Sequence, residues 1–495
     1  MKMRKFILTL STAFICFVTA TNALAQNDYV VLRSERVAND AAWAAVSDKL
    51  ATKHSATVLT YINTPREALD ALRQQNPRYV AIVEQPEMLG RDYVIDLHQL
   101  SRSVDDDIYA DFLWGIITGY DAEAAMRMVE NSTEPLLIKD CVASIMELNS
   151  AKWFDNYAWV DDHTRGLWGE KRGRNNPITT DTVAKEQVLR KFTDLYEAYD
   201  PDLIVTAAHA TQSNLEMPYS LGNIKAAEGK LYAHDIFTDE KWDLVESGKR
   251  RVYCAVGNCL IGDINNTRES MAIAWLSGAH AATMIGYVVT TWHGRNGWGA
   301  LKYWVTNPHR YTLAEAVYLN QQDFLHQQYE WYPELFQEQY NYCDEFMEEL
   351  TTAANRLSEV LGRKVDMENA ADWDMMGFWH DRDVLVYYGD PKWEVKLQSV
   401  DNEQDYKVDV KRSKRRCTIT ITTGKEFSME RMRGDKFKQE HVLDLPFSLF
   451  FPERLSNPRM AEGQEWDAVV DENFMLVYNA EFEPNNRYRI TLLTD

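Results

Sequence analysis

The sequence predicts an α/β domain with a mostly parallel sheet flanked by helices, followed by a small all-β sandwich. Three observations carry this. From residue 29 onward short β-branched runs alternate with helical stretches, the pattern of parallel strands joined by crossover helices. Four of the later runs stop abruptly in polar loops, at Asp161, His209, Cys259 and Thr291. Beyond residue 392 the helical signal ends and short alternating runs continue to the C-terminus, as in a two-sheet sandwich.

Residues 29–32, 56–62 and 78–83 read as strands, separated by helices at 41–53 and 65–75, the second opening on a proline at its first turn. Helices are expected at 121–130 and 142–148. A strand at 153–160 runs into Asp161-Asp162-His163 and a long polar loop, 164–177. A helix at 182–199 leads to the strand 203–207, which ends at Ala208-His209-Ala210 before another polar loop, 211–223. The run 252–256 is too short for a helix, and charge and glycine bound it, so it reads as a strand covered on both faces. A helix at 268–277 and a strand at 282–290 follow, then a glycine-rich loop, Thr291 to Gly299, carrying Trp292 and Trp298. Residues 313–362 are helical, and 384–388 is a strand closed by Gly389-Asp390-Pro391. Strands at 393–397, 406–410, 417–422, 474–478 and 488–493 make up the sandwich. The chain therefore divides into 1–25, 26–150, 151–392 and 393–495.

Residues 1–25 carry Lys2, Arg4 and Lys5, an apolar run and Ala23-Leu24-Ala25, the layout of a secretory signal peptide. No later run approaches the roughly 18 apolar residues a membrane span needs. The expected product is exported: periplasmic, cell-surface or secreted. With 75 acidic against 53 basic residues, the net charge of −22 argues against nucleic acid as a partner. Five cysteines follow the signal, Cys141, Cys254, Cys259, Cys343 and Cys417, an odd number without zinc-site spacing. At least one thiol is thus left unpaired.

Open α/β sheets place ligands at the carboxyl ends of their strands. Cys259 sits at such an end and is a candidate nucleophile, while Cys254 is mid-strand and suits packing. On this stretch alone Cys259 could equally be a small buried apolar residue. A cysteine nucleophile needs an imidazole and backbone donors for the oxyanion. His209 ends a strand fifty residues before Cys259, in the order and at about the spacing of caspases. Gly257 and Gly262 would let backbone approach a substrate closely.

Several segments resemble the gingipain family of the caspase-like clan of cysteine peptidases. Cys259-Leu-Ile-Gly262-Asp263 resembles its nucleophile segment, and Trp153 through Asp161-Asp162 the segment before its histidine. Asp107-Ile-Tyr-Ala-Asp111 with Gly115 resembles an N-terminal subdomain motif. Gly389-Asp390-Pro391 resembles the end of the catalytic domain, followed in the family by an immunoglobulin-like sandwich. The resemblance implies a caspase-like fold and a protease acting on polypeptides. Cys259 would be the nucleophile, His209 the acid/base, Asp161 or Asp162 the group orienting the imidazole, and Trp298 a neighbour of the substrate pocket. Apart from the resemblance, Trp292 and Trp298 could be core, but their glycine-rich setting suits a surface loop where aromatic side chains contact substrate. Backbone at Ala210 and Gly257 would serve the oxyanion. The chain departs from the family at Ala210, where glycine is usual, and at Asn258, where a small residue is.

No cofactor is required by this reading. A structural calcium ion on Asp161, Asp162, His163 and the following loop is compatible with it, although no regular ligand spacing is present. Two alternatives stay open: a non-catalytic binding protein using the Trp-rich loop and the sandwich, and a metal-dependent hydrolase using His209, Asp161 and Asp162.

Overall fold

The computed structural model describes residues 28–148, 153–245, 247–399, 405–439 and 442–495. The expected signal peptide and the expected boundary at 150/151 lie outside these. One twelve-stranded sheet runs through the larger part of the chain. Its strands are β1 (Tyr29–Ser34), β2 (Thr57–Tyr61), β3 (Tyr79–Val83), β4 (Leu113–Ile117), β5 (Asp140–Ala143), β6 (Asn156–Val160), β7 (Leu167–Arg172), β8 (Thr179–Thr182), β9 (Leu203–Thr206), β10 (Arg251–Ala255), β11 (Ala281–Tyr287) and β12 (Leu385–Gly389). Their order is β2-β1-β3-β4-β12-β11-β10-β9-β5-β6-β7-β8. Only β11/β12, β6/β7 and β7/β8 pair antiparallel. Strands β1 to β4 and β12 therefore run one way, and β5, β6, β9, β10 and β11 the other, so all four polar strand ends share one edge.

Central strands buried on both faces must be apolar throughout. Every residue of β10 and β11 is buried, with Cys254 at 0% exposure. Trp275, from the buried helix Met271–Ser277, stacks on Tyr253 at 4.0 Å between ring centroids. The Tyr253 hydroxyl in turn bonds Thr206 Oγ1 at 2.8 Å, which ties β10 to β9.

Several expected elements differ, and the first is the polar loop 164–177, which contains β7, paired antiparallel with β6. Residues 142–148 are not a helix: β5 occupies 140–143 and inserts between β9 and β6. A short run buried on all sides has no periodicity to separate strand from helix. The strand Val395–Leu397 forms, but it pairs in parallel with Leu136–Ile138 and so belongs to the α/β body, not to the sandwich. The loop 211–223 is part of a five-stranded antiparallel meander from Ala210 to Asp243.

The C-terminal part consists of a four-stranded and a three-stranded antiparallel sheet. Cys417, Ile419 and Ile421 of one face Phe447, Leu449, Met475 and Val477 of the other. The alternate residues Phe450, Phe474 and Leu476 enter the core of the α/β body, so strand periodicity makes the smaller sheet a shared wall.

Where the hairpin at 471–474 meets the 105–111 loop, acidic groups collect. Burial and neighbouring carboxylates push Asp111 up to about 8, Asp471 up to about 7 and Asp107 up to about 6. Each folded-state value lies above the roughly 3.9 of an unfolded Asp. Stability from these groups is present at the acid end and is lost as pH rises from about 4 through these values. Melting without divalent cations is expected to occur at falling temperature across that interval. Asp111→Asn, which can still accept the Val104 N–H bond, is expected to flatten the slope by up to ~1.4 kcal/mol per pH unit. An unchanged slope would contradict this.

Candidate active site

Strands β9 and β10 pair in parallel with Thr206 opposite Ala255, so His209 and Cys259 leave adjacent strands three and four residues beyond a matched pair. Asn258 joins the two exits. It is 0% exposed, accepts from Thr206 Oγ1 at 2.7 Å and donates Nδ2 to the Ala208 carbonyl at 2.8 Å. The residue before the cysteine is thus bonded to the residue before the histidine. An amide at position 258 thus bridges the two strand ends. Asn258→Ala would leave the Ala208 carbonyl and the Thr206 hydroxyl without this partner and is expected to cost about 2–3 kcal/mol. If the pair is catalytic, hydrolysis should fall by up to ~100-fold, mainly in kcat, from misplacement of the groups.

Backbone of the cysteine turn is specialised. Leu260 has φ of 57°, left-handed for a branched non-glycine residue, and is held by Leu260 N–H to Val289 O at 2.9 Å and Asp263 N–H to Leu260 O at 3.0 Å. Strain of this kind collects at functional turns. A Cβ on Gly257 would stand 2.9 Å from Trp298 Nε1, so glycine is needed there for the close approach of the tryptophan. Cys259 is half-buried, and its Sγ lies 3.2 Å from Thr291 Oγ1 at the end of the neighbouring β11 strand. His209 is exposed, its carbonyl accepting from Glu216 N–H of the meander at 2.9 Å.

The remaining expected residues are placed as follows. Asp161 and Asp162 end β6, with β5 standing between β6 and β9. Asp161 is buried and accepts the N–H groups of His163 and Thr164, both at 2.7 Å, forming the turn. Asp162 accepts Met146 N–H at 3.0 Å; burial and the Glu147 carboxylate push it up to about 7. Ala210 is buried at the root of the meander, opposite Leu215. Trp298 is not on a surface loop: a helix, Arg295–Thr306, starts inside the expected loop and buries Trp298 to 4% exposure against Phe437 and Gly257. Trp292 packs on Trp373 at 4.3 Å and near His380 at 5.5 Å.

No family model and no curated protein matches this chain. Among solved structures, one similar to it is the Arg-specific cysteine proteinase gingipain R (RgpB), with 9% identity over 92% of both chains and a TM-score of 0.45. A complex of Porphyromonas gingivalis RgpB pro- and mature domains has 10% identity over 92% of this chain and 93% of that one, with a TM-score of 0.37. A third, described as the structure of a protease, has 9% identity over 80% and 85%, with a TM-score of 0.36.

Sequence reasoning missed the support of the 291–294 loop. Asp381, 0% exposed, accepts Trp292 N–H at 3.2 Å on one oxygen and His293 and Gly294 N–H at 3.0 and 3.1 Å on the other. Burial would raise its pKa, but the hydrogen bond to His380 and those N–H groups outweigh this and hold it below the usual range. His380 is pushed down by burial and, more strongly, up by Asp381 and Glu349. A cleft of about 530 Å³ opens beside this support, lined by Leu260, Asp263, Thr290, Arg91, Cys343 and His380. The buried run Trp379-His380-Asp381 in a helical stretch was the available signal, but nothing local pointed it at residue 292.

Proposed function

We propose that the chain is an exported cysteine peptidase hydrolysing peptide bonds with a Cys259-His209 dyad. The observation that carries this is the buried Asn258 amide, which sets the two strand ends together. The Cys259 thiol passes its proton to His209 as its sulfur attacks the scissile carbonyl, and the tetrahedral oxyanion is held by backbone N–H groups near the cysteine and Ala210. The nitrogen of the leaving amine takes a proton from His209 as the C–N bond breaks, leaving a thioester. Water then gives a proton to His209 as its oxygen attacks the thioester, releasing the acid and restoring the thiol. We assign this dyad no third carboxylate: Asp161 accepts N–H groups of its own turn, Asp162 accepts Met146 N–H, and β5 stands between their strand and that of His209. The buried Trp298 supports a role as a floor beneath Gly257 rather than as an exposed substrate wall, which also counts against the binding-protein alternative.

Alkylation of the mature protein with mapping of the modified residue tests this. Cys259 should react faster than Cys343, the other half-buried thiol, and His209→Ala should slow Cys259 alone. Equal rates at both thiols, with no cleavage of a peptide library, would reject the dyad. Loss of activity to a chelator with indifference to the alkylator would select the metal-dependent alternative.

A further inference from the structure

We propose that Glu147, Asp162 and His163 form a zinc-class divalent cation site that ties the segment after β5 to the turn after β6. The three side chains come from two chain segments, and their ligand atoms all lie within 4.8 Å of one another. His163 Nε2 stands 3.4 Å from Glu147 Oε1 and 3.7 Å from Asp162 Oδ1. Ligands of a tetrahedral zinc at about 2.0–2.2 Å from the metal stand roughly 3.3–3.6 Å apart, so the cluster is already at that spacing with small side-chain adjustments.

A second observation points to a ligand. Glu147 is 7% exposed, and its Oε2 is buried with no hydrogen-bond partner among the described residues. An anionic oxygen so placed beside a second carboxylate is costly, and a cation between them would satisfy both. The His163 side chain is 56% exposed, which provides an entry path and leaves a fourth position for water. The donor set selects the metal. Calcium takes six to eight oxygens, whereas one imidazole and two carboxylates suit zinc and its neighbours in the transition series. The site has no place in the dyad chemistry and stands or falls separately from it.

The test uses the full mature chain carrying Cys259→Ala, so that the candidate nucleophile takes no metal. The chelator-treated protein is dialysed against Zn²⁺, free metal is removed, and retained zinc is measured by atomic emission. One zinc ion per chain is expected, together with a zinc-dependent rise in melting temperature. Both should be lost in His163→Ala, a change at an exposed position outside the core, and in Asp162→Asn. Retention that is equal with and without His163, or no retention at all, would overturn the site. So would Ca²⁺ held as firmly as Zn²⁺ and indifferent to His163→Ala.

Discussion

Cys259→Ala is expected to lower peptide hydrolysis by at least ~10⁴-fold while leaving the fold intact. Removing the nucleophile of a cysteine or serine hydrolase leaves only binding and oxyanion stabilisation, and losses of this order follow. Cys259 is half-buried in a turn whose backbone is held by Val289 and by its own 3.0 Å bond, so truncation to alanine should cost less than about 1 kcal/mol. Cys254→Ala is the paired control. That thiol is 0% exposed in the middle of β10, and burial pushes its pKa up, which disfavours the reactive thiolate. Its replacement should cost about 1–2 kcal/mol through the cavity left, with catalysis kept. Rates on a fluorogenic peptide library and melting curves for both variants separate the two roles. Activity surviving in Cys259→Ala would end the cysteine-peptidase reading.

Asp381→Ala is expected to be the most destabilising single change near the site, by about 3–5 kcal/mol. It would strand three backbone N–H groups of Trp292, His293 and Gly294 and remove one of the two acidic partners of the buried His380. The loop these bonds hold begins at Thr291, whose hydroxyl meets Cys259 Sγ at 3.2 Å, so the damage should reach the cysteine turn as well. The pH dependence has two limits. Asp381 is depressed, so its contribution is present above the unfolded carboxylate value of about 3.9 and is lost as pH falls toward its folded value. His380 is raised, so its contribution is full below the unfolded imidazole value of about 6.5 and is lost as pH rises through its folded value. Denaturant melts of wild type and Asp381→Ala should differ most between these limits, by less above the upper one, where only the N–H bonds remain, and least at the acid end. A difference independent of pH would mean that the N–H bonds alone, and not the ion pair, hold the loop.

Strand ends were legible in the sequence because a buried parallel strand is a short apolar run stopped by glycine or charge. Residues 203–206 and 251–255 needed no tertiary information to be placed as neighbours in kind, and neither did the contrast between Cys254 inside the run and Cys259 beyond it. The single edge shared by Asp161, His209, Cys259 and Thr291 followed from the same alternation. Failures arose where local signals compete or are absent. The four residues of β5 are too few for a period, and their place between β9 and β6 moves Asp161 and Asp162 a strand further from His209. Glycines at 294, 297 and 299 argue for a loop, yet burial against Gly257 and Phe437 makes a helix of residues 295–306.

By itself, then, the sequence determined the α/β class, the trailing sandwich, and which cysteine and histidine stand at strand ends, since these depend on composition and period over a few residues. Tertiary structure alone decided the strand order, the reversal at β11/β12, the Asn258 link, the Asp381 support and the grouping of Glu147 with His163. Those rest on contacts between residues distant along the chain, for which no local period or spacing exists.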